Sequence, residues 1–421
     1  MVKKLKMGFT GFGFIGPVHR DAVGTLCDIA VPYAVADDDP AKQKEGRRQG
    51  LKVYSKAEEL IADPKVDVIH ITGPDEYHAQ WALAAMKAKK RVVVCEKPMT
   101  VTLEESVKVL EAAQRYERNT GGVFMTNINY MGHALPRAAR EMRQKGFLGR
   151  IEAVDGRYEQ DWLMDPNIWN WRLAGDMCAS KDILPHLISA AYFMGGIWPT
   201  KLIASSRTII EDRQMPKQRT DAFAKGQAGD GVVEKVPVKV KSDLYTAILC
   251  DFNNGAQGRF LVTQYFAGRQ NFWEITLAGS ERRATWNQIQ PNVLEIGQVL
   301  IKDPTRPPKV EDVRHIANLS LINNPGYLAA AGYNDAASYS PYPGEHPAGH
   351  LDAFARNFRT AYLVATGQMK REEAVIPGAT IGFACVAVAD AVRRSRKAGR
   401  KYVNVDYKGI DLPDCLGDGK L

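Results

Sequence analysis

Leu5-Lys6-Met7-Gly8-Phe9-Thr10-Gly11-Phe12-Gly13-Phe14-Ile15-Gly16 sets a GxGxxG directly behind a short β-type run and ahead of a helical stretch. A glycine-rich turn alone is a weak signal. In this setting each glycine has a physical reason. Gly11 permits the tight turn, Gly13 lets backbone approach a pyrophosphate, and Gly16 lets helix and strand pack closely. The helix start at Phe14 and Ile15 then aims its N–H groups at the phosphates. Asp37 ends the next β-type run, Ile29–Ala36, about twenty residues past the glycines, where an acid accepts the ribose hydroxyls. Asp38 and Asp39 follow it, and no Lys or Arg occurs before Lys42. A 2′-phosphate would meet like charge there, so the expected cofactor is NAD rather than NADP.

Outward from this turn, Val66–Thr72, Arg91–Cys95 and Val123–Asn129 read as further strands, several of them apolar on both faces. Amphipathic stretches such as Glu76–Ala88 and Leu103–Arg118 lie between them. This alternation predicts a doubly wound α/β domain with a parallel sheet over residues 1–129. From Tyr130 the pattern changes. A helical stretch, Leu135–Lys145, precedes β-like runs at Arg150–Tyr158, Leu202–Thr208, Tyr245–Phe252, Ala256–Gln264 and Phe272–Ala278, with a hairpin turn at Asn253-Asn254-Gly255. Residues 130–421 are therefore expected to form an α+β domain with a large, mostly antiparallel open sheet. Glu211–Ser242 reads as a long polar excursion, Lys302–Pro347 as irregular chain, and His350–Thr366 and Thr380–Lys397 as closing helices.

A chain of 421 residues suits two domains. With 45% hydrophobic and 25% charged residues, it is neither disordered nor fibrous, and the composition is that of a soluble globular protein. No apolar run approaches the roughly eighteen residues of a membrane span. Lys3, Lys4 and Lys6 precede a run too rich in glycine to act as a signal peptide. The net charge of +8 is scattered. Its densest group, Arg393, Arg394, Arg396 and Lys397, closes a helix, where basic residues offset the helix dipole; nucleic-acid binding is not expected. Cys27, Cys95, Cys178, Cys250, Cys385 and Cys415 are widely spaced without a CxxC pair. That fits free thiols, a reducing cytoplasmic setting and no structural metal.

Two further constellations carry chemistry. Cys95-Glu96-Lys97-Pro98 ends a strand at the sheet edge where ligands of open α/β sheets bind, which places Lys97 at the chemistry. A surface Lys–Glu pair is the plain alternative. In Lys181-Asp182-Ile183-Leu184-Pro185-His186, a helix starting near Asp182 and running to Gly195-Gly196 puts Asp182 and His186 on one face. The plain alternative there is a capping Asp182 and a packed core His186.

Together GFGFIG, ITGPDEYHA at Ile71–Ala79, CEKP at Cys95–Pro98 and DILPH at Asp182–His186 resemble the Gfo/Idh/MocA oxidoreductases over nearly the whole chain. Within that family the pattern is most similar to levoglucosan and inositol dehydrogenases. The matching stretches are NYMGHALP around Tyr130, YEQDWL at Tyr158–Leu163, Trp171-Arg172, and more loosely Ala267–Asn271 and His346–Phe354. The resemblance implies NAD contacts from Gly11, Gly13, Phe14, Ile15, Gly16, Asp37, Asp38, Gly73, Pro74, His78, Glu96 and Lys97. It implies catalytic roles for Lys97, Asp182 and His186. Tyr130, Tyr158, Gln160, Asp161 and Arg172 become the candidates for holding substrate hydroxyls. The expected reaction moves a hydride between nicotinamide and a ring hydroxyl of a sugar or polyol. His186 takes the hydroxyl proton, Lys97 holds the same oxygen, and the two could exchange roles. Two alternatives are a redox-neutral glycoside-cleaving enzyme that retains NAD and a non-catalytic dinucleotide-binding regulator. The resemblance also implies a homodimer or homotetramer through the second sheet. The chain departs from the family in the run Ala174–Lys181, which carries Asp176 and Lys181, and in Ile183-Leu184-Pro185 between the Asp and the His.

Overall fold

In the computed structural model, which describes residues 4–217, 234–301 and 313–412, the chain builds two large sheets and one two-stranded ribbon. The first has six parallel strands: β1 (Leu5–Thr10), β2 (Ala30–Ala36), β3 (Lys52–Tyr54), β4 (Val68–Ile71), β5 (Val92–Glu96) and β6 (Val123–Asn127), in the order β3-β2-β1-β4-β5-β6. Every residue of β4, β5 and β6 is buried, because helices cover both faces of a parallel sheet. Those helices include α1 (Ile15–Gly24), α2 (Pro40–Arg48), α3 (Ala57–Ala62), α4 (His78–Lys87) and α5 (Leu103–Thr120). The strand order reverses between β1 and β4, which opens a crevice beyond their carboxyl ends. This is the expected Rossmann arrangement.

The second sheet has nine strands in the order β16-β15-β14-β13-β7-β12-β11-β8-β17. They are β7 (Ile151–Glu159), β8 (Pro199–Arg207), β11 (Tyr245–Phe252), β12 (Gln257–Thr263), β13 (Phe272–Gly279), β14 (Arg282–Asn287), β15 (Val293–Ile301), β16 (Val313–Ile322) and β17 (Val403–Asn404), with β9 (Asp212–Pro216) and β10 (Lys235–Lys239) forming a separate antiparallel pair. Among the described pairings of the nine-stranded sheet only β7 with β12 is parallel. Burial alternates along β11, the period of a sheet covered on one face. The covered face carries α6 (Ala134–Gln144), α8 (Leu184–Gly195) and α12 (Ala379–Lys397). On the open face Arg157 pairs with Glu274 and Arg259 with Asp155. The Asn253-Asn254-Gly255 turn joins β11 to β12 as expected, with Gly255 at φ +87°.

Two expectations are corrected, and a third gains detail. The helix expected from Asp182 is two: α7 (Ala179–Asp182) ends at Asp182, and α8 begins at Leu184. Pro185 is the cause. It lacks an N–H, and its ring would strike the carbonyl four residues earlier, so the chain can only restart with Pro in the first turn. Second, Lys302–Pro347 is not irregular throughout. β16 pairs with β15 from Ile322↔Val293 to Val313↔Ile301, and α9 (Pro325–Ala330) and α10 (Asn334–Ser338) follow. Third, the excursion at 211–242 has strand-paired arms, with its tip, 218–233, outside the described residues.

The last long helices return to the first domain. α11 (His350–Ala365) packs on α1, and α12 packs on α5 and α8. Phe354, Phe358 and Tyr362 join one buried cluster with Met7, Phe9 and Val94. The basic group on α12 is tied down, since Arg393 and Arg394 both bond Asp390 and Arg396 bonds the Asp176 carbonyl. Cys27, Cys95, Cys178, Cys250 and Cys385 are free thiols, and Cys415 lies outside the described residues. Among the described residues no helix is long and apolar enough to cross a membrane.

Candidate active site

The glycine turn lies at the crevice. Gly11 has φ +102°, a region other residues avoid, and a Cβ there would meet Gly73 Cα at 2.8 Å. A Cβ on Gly16 would meet the Gly11 carbonyl oxygen at 2.3 Å, whereas around Gly13 nothing lies within 4 Å. The turn is thus tight where the chain needs it and open where a pyrophosphate would lie. No side chain caps α1, which leaves its N-terminal turn for phosphate oxygens. These residues fit a dinucleotide. Asp37 Oδ2 accepts the Phe12 N–H at 2.7 Å and Oδ1 the Asp39 N–H at 2.9 Å. Its carboxylate therefore also ties the end of β2 to the glycine turn. Phe14 and Asp38 are exposed at the rim. Gly73 and Pro74 follow β4, and the His78 ring lies between the Pro98 and Gly73 carbonyls at 2.7 and 3.1 Å. It laces two loops of the crevice together.

Glu96 ends β5, buried. Its Oε1 is bonded by His19 Nε2 at 2.8 Å and Asn127 Nδ2 at 2.5 Å, and its Oε2 by the Lys97 N–H at 3.1 Å. Burial alone would raise this carboxyl, but the His19 hydrogen bond leads a group of contacts that hold it at about 2. Behind His19 the chain continues: His19 Nδ1 to His70 Nδ1 at 2.9 Å, and His70 Nε2 to the Tyr362 hydroxyl at 2.6 Å. A carboxylate only accepts, so His19 Nε2 donates. For neutral imidazoles one arrangement then satisfies every member: Tyr362 donates to His70, His70 to His19, and His19 to Glu96.

Lys97 projects toward the second domain. Its Nζ donates to Asp182 Oδ1 at 2.8 Å and to the Asp182 carbonyl at 2.9 Å. Arg172 Nε lies 3.0 Å from Oδ1, and Gln264 Nε2 donates to Oδ2 at 3.2 Å. Burial alone would raise the Asp182 carboxyl; Arg172 and then Lys97 outweigh it and hold the group well below the usual carboxylate range. Asp182 is not a helix cap, because α8 starts after Ile183 with no side-chain cap. The neighbouring Lys181 reaches Asp75 of the first domain at 2.9 Å.

His186, in the first turn of α8, is 5% exposed and lies edge-on to Tyr130 at 4.9 Å, with Tyr158 at 5.7 Å. Its Nδ1 has no hydrogen-bond partner among the described residues. Burial, and then the Lys97 charge, push it down to about 3. The ring is therefore neutral with a lone pair to offer. The Tyr130 hydroxyl is 3.1 Å from that of Tyr158 and donates to Gln288 Oε1 at 2.5 Å. Tyr158 and Gln160 both donate to Asn271 Oδ1 at 2.8 Å.

The structure thus brings Lys97, Asp182, His186, Tyr130, Tyr158, Gln160 and Arg172 to one place. Asp161 is turned aside and accepts the Gly268 N–H at 3.1 Å. Gln264, Asn271, Gln288, His19, His70 and Tyr362 are the residues sequence reasoning passed over. His19 had a readable signal, being a polar residue on the buried stripe Gly16, His19, Ala22, Val23 of α1. His70 had one too, as the only polar member of the strand Val68-Ile69-His70-Ile71.

Residues 5–121 match the family described as "Oxidoreductase family, NAD-binding Rossmann fold", and residues 137–285 match the "GFO/IDH/MocA C-terminal domain". The chain is 30% identical over 308 residues to levoglucosan dehydrogenase of Pseudarthrobacter phenanthrenivorans, covering 70% of this chain and 76% of that protein. Two solved structures share the fold. An oxidoreductase domain protein from Kribbella flavida has a TM-score of 0.78 at 22% identity, covering 96% of this chain and 100% of that one. Levoglucosan dehydrogenase in complex with NADH and L-sorbose has a TM-score of 0.77 at 24% identity, with the same coverage.

Proposed function

The chain belongs to the GFO/IDH/MocA oxidoreductases, as an NAD-dependent enzyme of the sugar and polyol dehydrogenase type, and from that premise we propose that it interconverts a ring hydroxyl and a ring ketone on a sugar, anhydrosugar, glycoside or inositol-like polyol. The observation that carries this reading is the meeting of Lys97, Asp182 and a neutral His186 at the junction of the two domains.

Bound NAD, held by the glycine turn and Asp37, supplies the hydride acceptor. The chain's own residues do the rest. His186 accepts the hydroxyl proton; a neutral imidazole in a dry site can take it as the oxygen gains charge. Lys97 donates a hydrogen bond to the same oxygen and stabilises the developing alkoxide. Asp182 fixes the direction of the Lys97 ammonium and balances Arg172. Gln160, Tyr130 and Tyr158 hold neighbouring hydroxyls. We further propose that residues 1–129 act as the cofactor domain and 130–421 as the substrate domain, and that the protein works in the cytoplasm. Pairing of the open sheet face would give a homodimer or homotetramer; exposed Leu249, on that sheet, supports this.

The test is NADH formation by the purified protein with NAD and a panel of sugars, inositols and glycosides. One NADH per ketone formed supports the reading. Glycoside cleavage without net NADH would replace it by the redox-neutral alternative.

A further inference from the structure

A cavity of about 300 Å³ opens beside Tyr130, lined by His133, Asn271, Gln288, Ile289 and His350 among others. Of the residues gathered round Lys97, Tyr130 alone lines it, and none of those expected to hold NAD does. Its lining is tied to the residues round Lys97 by shared hydrogen bonds. Lys97 bonds Asp182, Gln264 bridges Asp182 to Gln160, and Gln160 donates to Asn271. Asn271 is the common member. Its Oδ1 is taken by Tyr158 and Gln160 on the Lys97 side, while its amide nitrogen has no protein partner among the described residues.

The lining has a consistent chemistry. No Lys, Arg, Asp or Glu is part of it, so nothing there would balance a phosphate or a carboxylate. His133 is 7% exposed, yet its ring has no hydrogen-bond partner among the described residues. Its ring nitrogens are reached by solvent, so a ligand in the cavity can satisfy them. Burial, and then His350, push His133 down to about 3, and burial lowers His350 as well. His133 therefore offers a donor and an acceptor, while His350, whose Nδ1 accepts from Asn129 Nδ2 at 3.4 Å, offers its other ring nitrogen as a donor; hydroxyl groups complement both. Tyr130 and Ile289 add apolar surface for the C–H face of a ring.

We infer that this cavity is a second-ring subsite: it takes the uncharged ring joined by a glycosidic bond to the ring oxidised at Lys97, so that the substrate is a disaccharide or a glycoside of similar size. The inference rests on the dehydrogenase reading above and narrows its substrate class. The volume is at the small end of ligand pockets, which run from about 300 to 1,000 Å³; it suits one further ring and not an oligosaccharide.

The test compares kcat/KM with NAD for glucose, galactose and mannose against cellobiose, maltose and lactose, with glucose 6-phosphate as the anionic control. At least one disaccharide should exceed its component sugars by about tenfold or more. Ile289 is 61% exposed at the cavity, so Ile289→Trp fills space without threatening the fold and should abolish most of that ratio. A monosaccharide used as well as every disaccharide, a ratio that survives Ile289→Trp, or a preference for the phosphate overturns the subsite and leaves the dehydrogenase reading standing. NADH from none of these, nor from the wider sugar and inositol panel, overturns the dehydrogenase reading itself and the subsite with it.

Discussion

Lys97, at the end of a Rossmann strand, gives its ammonium to two oxygens of a single residue in the other half of the molecule, Asp182 Oδ1 at 2.8 Å and the Asp182 carbonyl at 2.9 Å. The pair joins the domains and aims the one cation best placed to meet substrate oxygen. Lys97→Met should lower turnover about a hundredfold or more while NAD affinity changes little. Asp182→Asn should lower turnover and also cost about 3 kcal/mol of stability, because it leaves Lys97 and Arg172 partly buried against a neutral amide. Steady-state kinetics and urea unfolding read both effects. Near-native turnover in Lys97→Met, or an Asp182→Asn protein unchanged in both measurements, would contradict this account.

His186→Gln keeps size and polarity but loses the proton acceptor, so turnover should fall about a hundredfold to ten-thousandfold. Partial recovery at high pH is expected, where more of the substrate is ionised. Since burial and Lys97 hold His186 at about 3, the free enzyme keeps it neutral throughout the ordinary working range. The wild-type kcat/KM profile should therefore show no acid limb near the usual histidine value that His186→Gln removes. Normal activity in His186→Gln would return this residue to a packing role.

Asp37→Ser should weaken NAD about tenfold and narrow the gap between NAD and NADP, because a carboxylate accepting ribose hydroxyls cannot face a 2′-phosphate without repulsion. The substitution also removes the acceptor for the Phe12 and Asp39 N–H groups, so some loosening of the glycine turn is expected in hydrogen exchange. Fluorescence titration with each cofactor gives the ratio. An unaltered NAD/NADP ratio would remove Asp37 from cofactor selection.

Acid should weaken the fold before carboxylates begin to titrate. His70, His133 and His186 are all depressed by burial, His133 and His186 to about 3. The unfolded chain binds their protons near 6.5, so their contribution is complete above that pH and is lost as pH falls from 6.5 toward 3. His133 and His186 each account for roughly 2 kcal/mol at pH 5, as an upper bound, and His70 acts in the same direction. Glu96, depressed to about 2, adds a second loss below about pH 4.5. Urea midpoints at pH 7, 6 and 5 should fall steadily; a flat series would show that these rings are not held neutral.

Much of this was readable from the chain. The Rossmann half declares itself because buried parallel strands must be aliphatic throughout and the phosphate turn must be glycine. CEKP and DILPH placed Lys97, Asp182 and His186 without any structure. What stayed hidden depends on partners far apart in sequence. Asp182 reads as a cap until Lys97, Arg172 and Gln264 are seen around it. β16 was obscured because Pro304, Pro307 and Pro308 stand before it, and its pairing with β15 is set by register rather than composition. Asn271 and Gln288 look like ordinary loop amides, and only the fold shows them meeting Tyr130 and Tyr158.

Tyr362 closes a chain of contacts that begins at His70 and His19, and its neighbours Phe354 and Phe358 lie against the His19 ring at 5.3 and 4.9 Å. These residues emerge from the ribosome long after the strands they complete. Domains usually finish folding in the order of their synthesis, but here His70 waits for a partner made 292 residues later. Until residue 362 is made, the apolar side of α1 and the polar pair His19 and His70 lack their cover. The cofactor-binding half therefore matures only after α11 is made, and a chain truncated before α11 should need a chaperone to stay in solution.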